Sequence, residues 1–219
     1  QLVEKYSNFG CPSFPTSPRM TLKLSDFVKR EDTCSKETIN LVNVGALIHD
    51  KDQANLLRSF RIAESKIHNK DLRLKIIGEG PEKNNLFDLA SELGIIDKVD
   101  FLGYVENEKE LLNLLRSYDV FVLSSVTEGF PRVLYESMTS SLPIVTTNVG
   151  GIPYLLDDKH NAIIVKSRDP KSLAQGILTI IKDDNLRRSI IHNASNTMKN
   201  IFKSFDSHQI ARLVVKYFD

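Results

Sequence analysis

The chain is short of cysteine, of long apolar runs and of net charge, and each shortage closes off a class of function. Its cysteines are Cys11 and Cys34 alone. They are too few for a disulfide framework or a cysteine-based zinc site, so a reduced, cytosolic setting is expected. The histidines His49, His68, His160, His192 and His208 show no metal-ligand spacing. No metal is expected. A formal charge of +1 gives no bulk attraction to nucleic acid or membrane. No segment approaches the ~20 apolar residues that cross a bilayer. The opening residues, Gln1 to Tyr6, lack an initiator methionine and a signal-peptide pattern. No G-x-G-x-x-G follows the first strand, no acidic residue closes the second, and no P-loop occurs, which argues against dinucleotide and P-loop chemistry.

What the chain does have is a regular alternation of apolar patterns. Residues 9–32 are rich in proline and serine, and Cys11-Pro12-Ser13-Phe14-Pro15-Thr16-Ser17-Pro18 excludes a helix interior or a central strand. Residues 1–39 read as a linker. Strands are expected at 39–44, 72–77, 99–102, 120–123, 144–147 and 162–165. Helical periods lie between them. One carries Leu56, Leu57, Phe60, Ala63 and Ile67, and a second carries Leu86, Leu89, Ala90 and Leu93 before Gly94. A third carries Leu111, Leu112, Leu115 and Tyr118, and a fourth surrounds Glu136 and ends near Ser140. Helices at 170–182, 186–202 and 205–218 close the chain, the last with Ile210, Leu213, Val214 and Tyr217 on one face. Strands separated by about ten to fifteen helical residues imply an α/β fold, a Rossmann-like, doubly wound parallel sheet with right-handed crossovers.

Ligands of such sheets bind beyond the carboxyl ends of the strands. Five chemically marked turns fall there: Gly45–Lys51, Gly78–Pro81, Gly103–Val105, Ser124–Glu128 and Asn148–Gly151. In the fourth, Glu128 stands just before an expected helix and Glu136 within it, with Pro131 at the first helical position. Two turns of helix span ~12 Å, about the separation of the sugar and the ribose in a nucleotide-sugar. Backbone N–H groups at Gly129, Phe130, Arg132 and Val133 can face an anion above the sheet.

Ser124 to Met138 resembles the E-x7-E signature of retaining glycosyltransferases of family 4, the "group 1" type with two-domain GT-B architecture. Asn43 to Lys51 resembles that family's V-G-R-L-x-x-x-K turn, and Ile76 to Glu82 its G-x-G-P-E loop. Val99 to Val105 is similar to its V-x-F-L-G-x-V strand, and Leu142 to Val145 with Gly150 to Pro153 to its G-L-P-V-V and G-G-I-P segments. The resemblance runs from about Leu41 to Phe218. Met20 to Phe27 loosely resembles the family's interdomain hinge.

The resemblance implies one GT-B half domain with C-terminal helices. Residues 1–39 would be a hinge from a missing N-terminal domain, 40–203 the nucleotide-sugar donor-binding domain, and 204–219 a helix crossing back to that other domain. The implied reaction moves a hexose from a UDP- or GDP-sugar to a hydroxyl of a glycan or lipid-linked acceptor, with retained configuration and no cofactor. Nucleic acid is not an implied partner. The implied setting is cytoplasmic, at the inner face of the membrane, and this piece alone would transfer little. Glu136 would accept the ribose hydroxyls through charge-assisted bonds. Glu128 would face the sugar near its anomeric carbon, and Lys51 would neutralise the leaving diphosphate. Gly45 shapes the phosphate turn, which His49 adjoins. Gly78 and Gly80 would approach the nucleotide, and Gly103 and Tyr104 would frame the base. The chain departs from the pattern at Ala46, where the family has arginine. Losing one such preorganised group can cost ~3 kcal/mol. Tyr154 and Ala162 replace the family's glutamate and glycine. Two alternatives stand beside the transferase: a degenerate, non-catalytic partner subunit, suggested by Ala46, and a GT-B UDP-sugar epimerase, which E-x7-E argues against.

Overall fold

The computed structural model describes the backbone of residues 22–218 and the side chains of residues 22–203. Six strands form one parallel sheet: β1 Thr38–Val44, β2 Asp71–Ile77, β3 Val99–Gly103, β4 Val120–Leu123, β5 Ile144–Thr147 and β6 Ile163–Val165. The helices are α1 Gln53–Glu64, α2 Lys83–Glu92, α3 Glu108–Ser117, α4 Arg132–Thr139, α5 Ile152–Leu155, α6 Pro170–Lys182 and α7 Asp184–Phe218.

The sheet order is β3-β2-β1-β4-β5-β6. The chain winds outward from β1 to β3, crosses back, and winds outward again from β4 to β6. The direction therefore reverses between β1 and β4, and the loops leaving those two strands bracket a crevice at the carboxyl edge.

At β4 and β5 both faces of the sheet are covered, and these strands are fully buried, whereas β2 alternates buried with half-buried residues and β3 alternates with exposed ones. Alternation sends Leu41, Val120 and Val122 into one core with Leu56, Leu57 and Phe60 of α1 and Leu173 and Ile177 of α6. It sends Val42, Phe121 and Leu123 into the opposite core with Leu115 of α3, Leu134 and Met138 of α4, and Ala194 and Met198 of α7. Gly176 lets α6 lie close on the sheet, because a Cβ there would stand 2.8 Å from a Val165 methyl.

Residues 22–37 hold one short 3-10 turn, Leu24–Asp26, and are tied to the domain by side chains. Arg30 donates to the carbonyls of Arg116 and Tyr118 at 3.1 and 2.8 Å. Asp32 accepts from Arg187 at 2.7 Å and Arg188 at 2.8 Å. Burial pushes the Asp32 carboxyl up, but the two arginines and the Thr33 N–H outweigh it and leave the group below its ordinary value. Phe27 meets Phe202 edge-on at 5.5 Å between ring centres. The segment around Cys11 and Met20 lies outside the described residues, as do the side chains of Ile210, Leu213, Val214 and Tyr217.

The helices expected at 186–202 and 205–218 are one helix, α7. No glycine or proline interrupts Asp184–Phe218, so nothing local breaks it. The one-turn helix α5 was not expected. No helix among the described residues is long and apolar enough to cross a membrane.

Candidate active site

The crevice is built where the loops after β1 and β4 meet. After β1 the chain passes through Gly45 to a 3-10 turn, His49–Lys51, and then to Asp52, whose φ of 47° is left-handed and whose carboxylate caps α1 at Asn55. After β4 come Ser124 and Ser125, both fully buried. The Val126 N–H donates to the Asp50 carbonyl at 2.9 Å, and the Ser124 hydroxyl donates to the Lys51 carbonyl at 2.8 Å. The two loops are thus locked together by backbone and hydroxyl bonds.

That lock brings Lys51 and Glu128 into contact across 77 positions of sequence. Lys51 Nζ lies 2.6 Å from Glu128 Oε1, with side-chain exposures of 24% and 6%. Ser125 Oγ donates to the same carboxylate oxygen, also at 2.6 Å. The lysine stem runs beside Gly45, where a Cβ would sit in ordinary contact at 3.8 Å. The Glu128 backbone is gripped as well. The Gly151 N–H is 3.3 Å from the Glu128 carbonyl and 3.0 Å from that of Gly129. Gly150, at φ +54°, has its missing Cβ aimed 1.7 Å from the Glu128 carbonyl oxygen, so no other residue fits there without moving the chain.

Glu136 sits on α4 with only 9% of the residue exposed. Burial raises its pKa above the ordinary glutamate value; Arg132 partly opposes the rise and Glu108 adds to it. Arg132 lies 2.6 Å from Glu108 and 4.0 Å from Glu136, with its side chain half-exposed. The two acids therefore have separate cationic partners: Lys51 meets Glu128, Arg132 meets Glu136, and the two groups make no direct contact among the described residues.

Two local expectations are corrected here. Pro131 precedes the helix rather than opening it, because its ψ of 115° is extended and α4 begins at Arg132. Only part of the 128–136 segment is then helical, so helical rise does not set the separation of the two acids. The start of α4 has no side-chain cap and no acidic residue in its first turn. By contrast, Asp52, Asn107 and Asp169 cap α1, α3 and α6. Uncapped N–H groups suit an external anion.

The other expected residues divide by what surrounds them. Gly78, at φ +149°, places its missing Cβ 1.9 Å from the Gly45 carbonyl oxygen, and that of Gly80 would lie 2.3 Å from the Leu47 carbonyl oxygen. The loop after β2 packs on the loop after β1, with the Leu47 N–H bonded to the Glu79 carbonyl at 2.9 Å. Glycine is required there by the chain's own backbone, and that requirement is no argument for a ligand. Gly103 lies beside the Glu79 carboxylate, and Tyr104 is 72% exposed. Gly129 has open space around it, Phe130 is exposed, and Val133 packs into the core on its face of the sheet.

Sequence reasoning missed Ser125, Glu108 and a depression of about 380 Å³ where His49, Asp52 and Asn55 meet Arg58 and Arg168. The serine was visible within its motif, but only the fold shows where its hydroxyl goes. Arg58 and Arg168 come from distant elements with no local pattern linking them. Ala46 is exposed, and its carbonyl accepts from Gln53 Nε2 at 3.0 Å.

The profile of the family described as glycosyl transferases group 1 matches residues 26–197. The chain belongs to glycosyl transferases group 1. Among curated relatives, it is 34% identical over 176 residues to an uncharacterised glycosyltransferase of Methanocaldococcus jannaschii, covering 80% of this chain and 43% of that protein. It is 33% identical over 188 residues to an N-acetylgalactosamine-N,N'-diacetylbacillosaminyl-diphospho-undecaprenol 4-alpha-N-acetylgalactosaminyltransferase of Campylobacter jejuni, covering 85% and 48%. Among solved structures, the Anabaena protein HepE in complex with UDP matches at a TM-score of 0.71 and 22% identity, over 82% of this chain and 49% of that one. The group 1 chain described here has the Rossmann-like fold of GT-B glycosyltransferases, and it spans about half the length of the relatives it matches.

Proposed function

We propose that this chain is the donor half of a retaining glycosyltransferase that moves a hexose from a nucleoside diphosphate sugar to a hydroxyl group. The contact of Lys51 with Glu128 at the reversal point of the sheet carries the reading. A cation and an acid stand together where a ligand of this fold binds, and a second acid, Glu136, stands one motif away with its own cationic neighbour. Two separately partnered acids suit a ligand with a polar group at each end and a diphosphate between. In this reading Lys51 and the uncapped start of α4 steady the departing diphosphate. Glu128 takes the sugar hydroxyls and tempers the positive charge of an oxocarbenium-like species. Glu136 takes the ribose. UDP in the Anabaena neighbour and the lipid-linked diphosphate acceptor in the name of the Campylobacter relative support a UDP- or GDP-linked donor and a glycan or lipid-linked acceptor.

In this proposal the donor-binding unit is residues 40–203 together with 22–39, which the structure ties to it through Arg30, Asp32 and the start of β1; the residues before 22 lead to an acceptor-binding domain, and 204–219 are the helix returning to it. Transfer then needs both domains. A partner subunit or an epimerase is not favoured, since the named relatives are transferases. Titration calorimetry with UDP, GDP and ADP, and with their glucose, N-acetylglucosamine and mannose conjugates, tests the reading. Micromolar binding of one base series is expected, with Glu136→Ala weakening it about tenfold or more. Absence of binding across the whole panel would reject a donor site.

A further inference from the structure

We propose that Ser125 is a positioning residue that, together with Lys51, turns the Glu128 carboxylate so that one oxygen is held by the protein and the other is presented to the donor sugar. The inference rests on the donor-site reading above. Ser125 Oγ and Lys51 Nζ both lie 2.6 Å from the same atom, Glu128 Oε1. Oε2 has no partner among the described residues. A glutamate side chain has three rotatable bonds, and a carboxylate left free would sample several orientations. Here the torsions are fixed from both ends. The main chain is pinned by the Gly151 N–H and by the close fit against Gly150, and the carboxylate by a hydroxyl and an ammonium.

Ser125 is itself held. It is fully buried, and its carbonyl accepts the hydroxyl of Thr147 at 2.6 Å, which ties it to the end of β5. The neighbouring Ser124 bonds the Lys51 carbonyl, so the two serines set the lysine and the glutamate in register with each other. A hydroxyl suits this task because it donates to the carboxylate without adding charge. A second cation would neutralise the acid. Ser125 thus acts on the sugar through Glu128, without touching it.

The test compares sugar nucleotide with bare nucleotide in the protein as its gene encodes it. The probes are UDP-glucose, UDP-N-acetylglucosamine and GDP-mannose against UDP and GDP, read by titration calorimetry. Ser125→Ala should weaken the sugar nucleotide that the wild type prefers by about tenfold, the scale of one well-placed hydrogen bond to a charged group. It should leave the matching bare diphosphate within about twofold. Placed on Glu128→Ala, Ser125→Ala should cost the sugar nucleotide nothing further, because the group it positions is gone. Ser125→Cys fills the same site with a much weaker donor and should behave like alanine, which covers the case of an alanine variant that fails to fold. Equal loss for sugar nucleotide and bare nucleotide, no loss for either, or additivity with Glu128→Ala would each overturn the proposal. A wild type that binds no probe overturns the donor reading first, a failure distinguishable because it needs no variant.

Discussion

Glu128→Gln removes the carboxylate that holds the Lys51 ammonium, and it should tighten binding of a bare nucleoside diphosphate. The lysine is engaged by Glu128 at 2.6 Å, so an incoming diphosphate must share or displace it and approach the negative charge of that carboxylate. At that distance two unit charges attract by ~1.6 kcal/mol in bulk water and ~6 kcal/mol at an effective dielectric near 20. Desolvation offsets much of this, and the glutamine oxygen remains as an acceptor. The relevant difference is between a charged hydrogen bond, about 1.5–3 kcal/mol net, and a neutral one, about 0.5–1.5 kcal/mol. About 1–1.5 kcal/mol is therefore released, and affinity for UDP or GDP should rise roughly 5- to 13-fold. The sugar nucleotide should gain less or lose, since its hydroxyls no longer meet a carboxylate. Titration calorimetry on wild type, Glu128→Gln and Lys51→Ala reads all three effects, with Lys51→Ala weakening every diphosphate. A folded Glu128→Gln variant that binds the bare diphosphate no better than wild type would refute the reasoning.

Glu136 offers a trade between stability and binding. Its pKa is raised, chiefly by burial, so the folded chain holds the proton more tightly than the unfolded chain. Stability then falls as pH rises through the window between the unfolded and folded values. Glu136→Gln should raise Tm relative to wild type at pH 8, with the gap closing at low pH, while weakening nucleotide binding about tenfold or more; scanning calorimetry across pH checks the first and titration the second. Arg187 is 97% buried as a side chain and bonds Asp32 and the carbonyls of Ile180 and Ile181. Arg187→Met should cost about 3–5 kcal/mol in urea unfolding by stranding those groups. The Asp32 carboxyl is lowered, so its contribution is present above the unfolded aspartate value and lost as pH falls through the folded one; Asp32→Asn should flatten that acid limb of the stability profile. Gly150→Ala meets both a left-handed φ and the Glu128 carbonyl. It should lower Tm and weaken sugar-nucleotide binding, whereas Gly94→Ala, also left-handed but with open space, should cost stability alone.

The middle of the sheet was legible because β4 and β5 are buried on both faces. Val120–Leu123 and Ile144–Thr147 are continuous apolar or β-branched runs between turn residues, and both strands fall on the expected positions. Gly94, in the left-handed region at φ +67°, follows the helix that it was expected to end. Boundaries set by tertiary contacts were harder to read. Pro131 sits before α4 because the chain arrives extended from the crevice, and α7 is unbroken because helical propensity has no interruption there. At the candidate site, the turns carrying Lys51 and Glu128 could be named because a doubly wound sheet places its ligand at strand ends, and Glu136 because it lies on the helix that follows the second of them. Their pairing could not be read. Lys51 with Glu128, and Asp32 with Arg187 across 155 positions, are products of the fold. The glycines at 78 and 80 had an apparent meaning in sequence that the packing of two loops explains without a ligand.

A crystal structure of the protein with the best-binding sugar nucleotide tests the central claim most directly. The expected electron density places the diphosphate on Lys51 and the start of α4, the sugar on Glu128 and the ribose on Glu136. A nucleotide seated in the depression between Arg58 and Arg168, or one whose ribose lies away from Glu136, would contradict it.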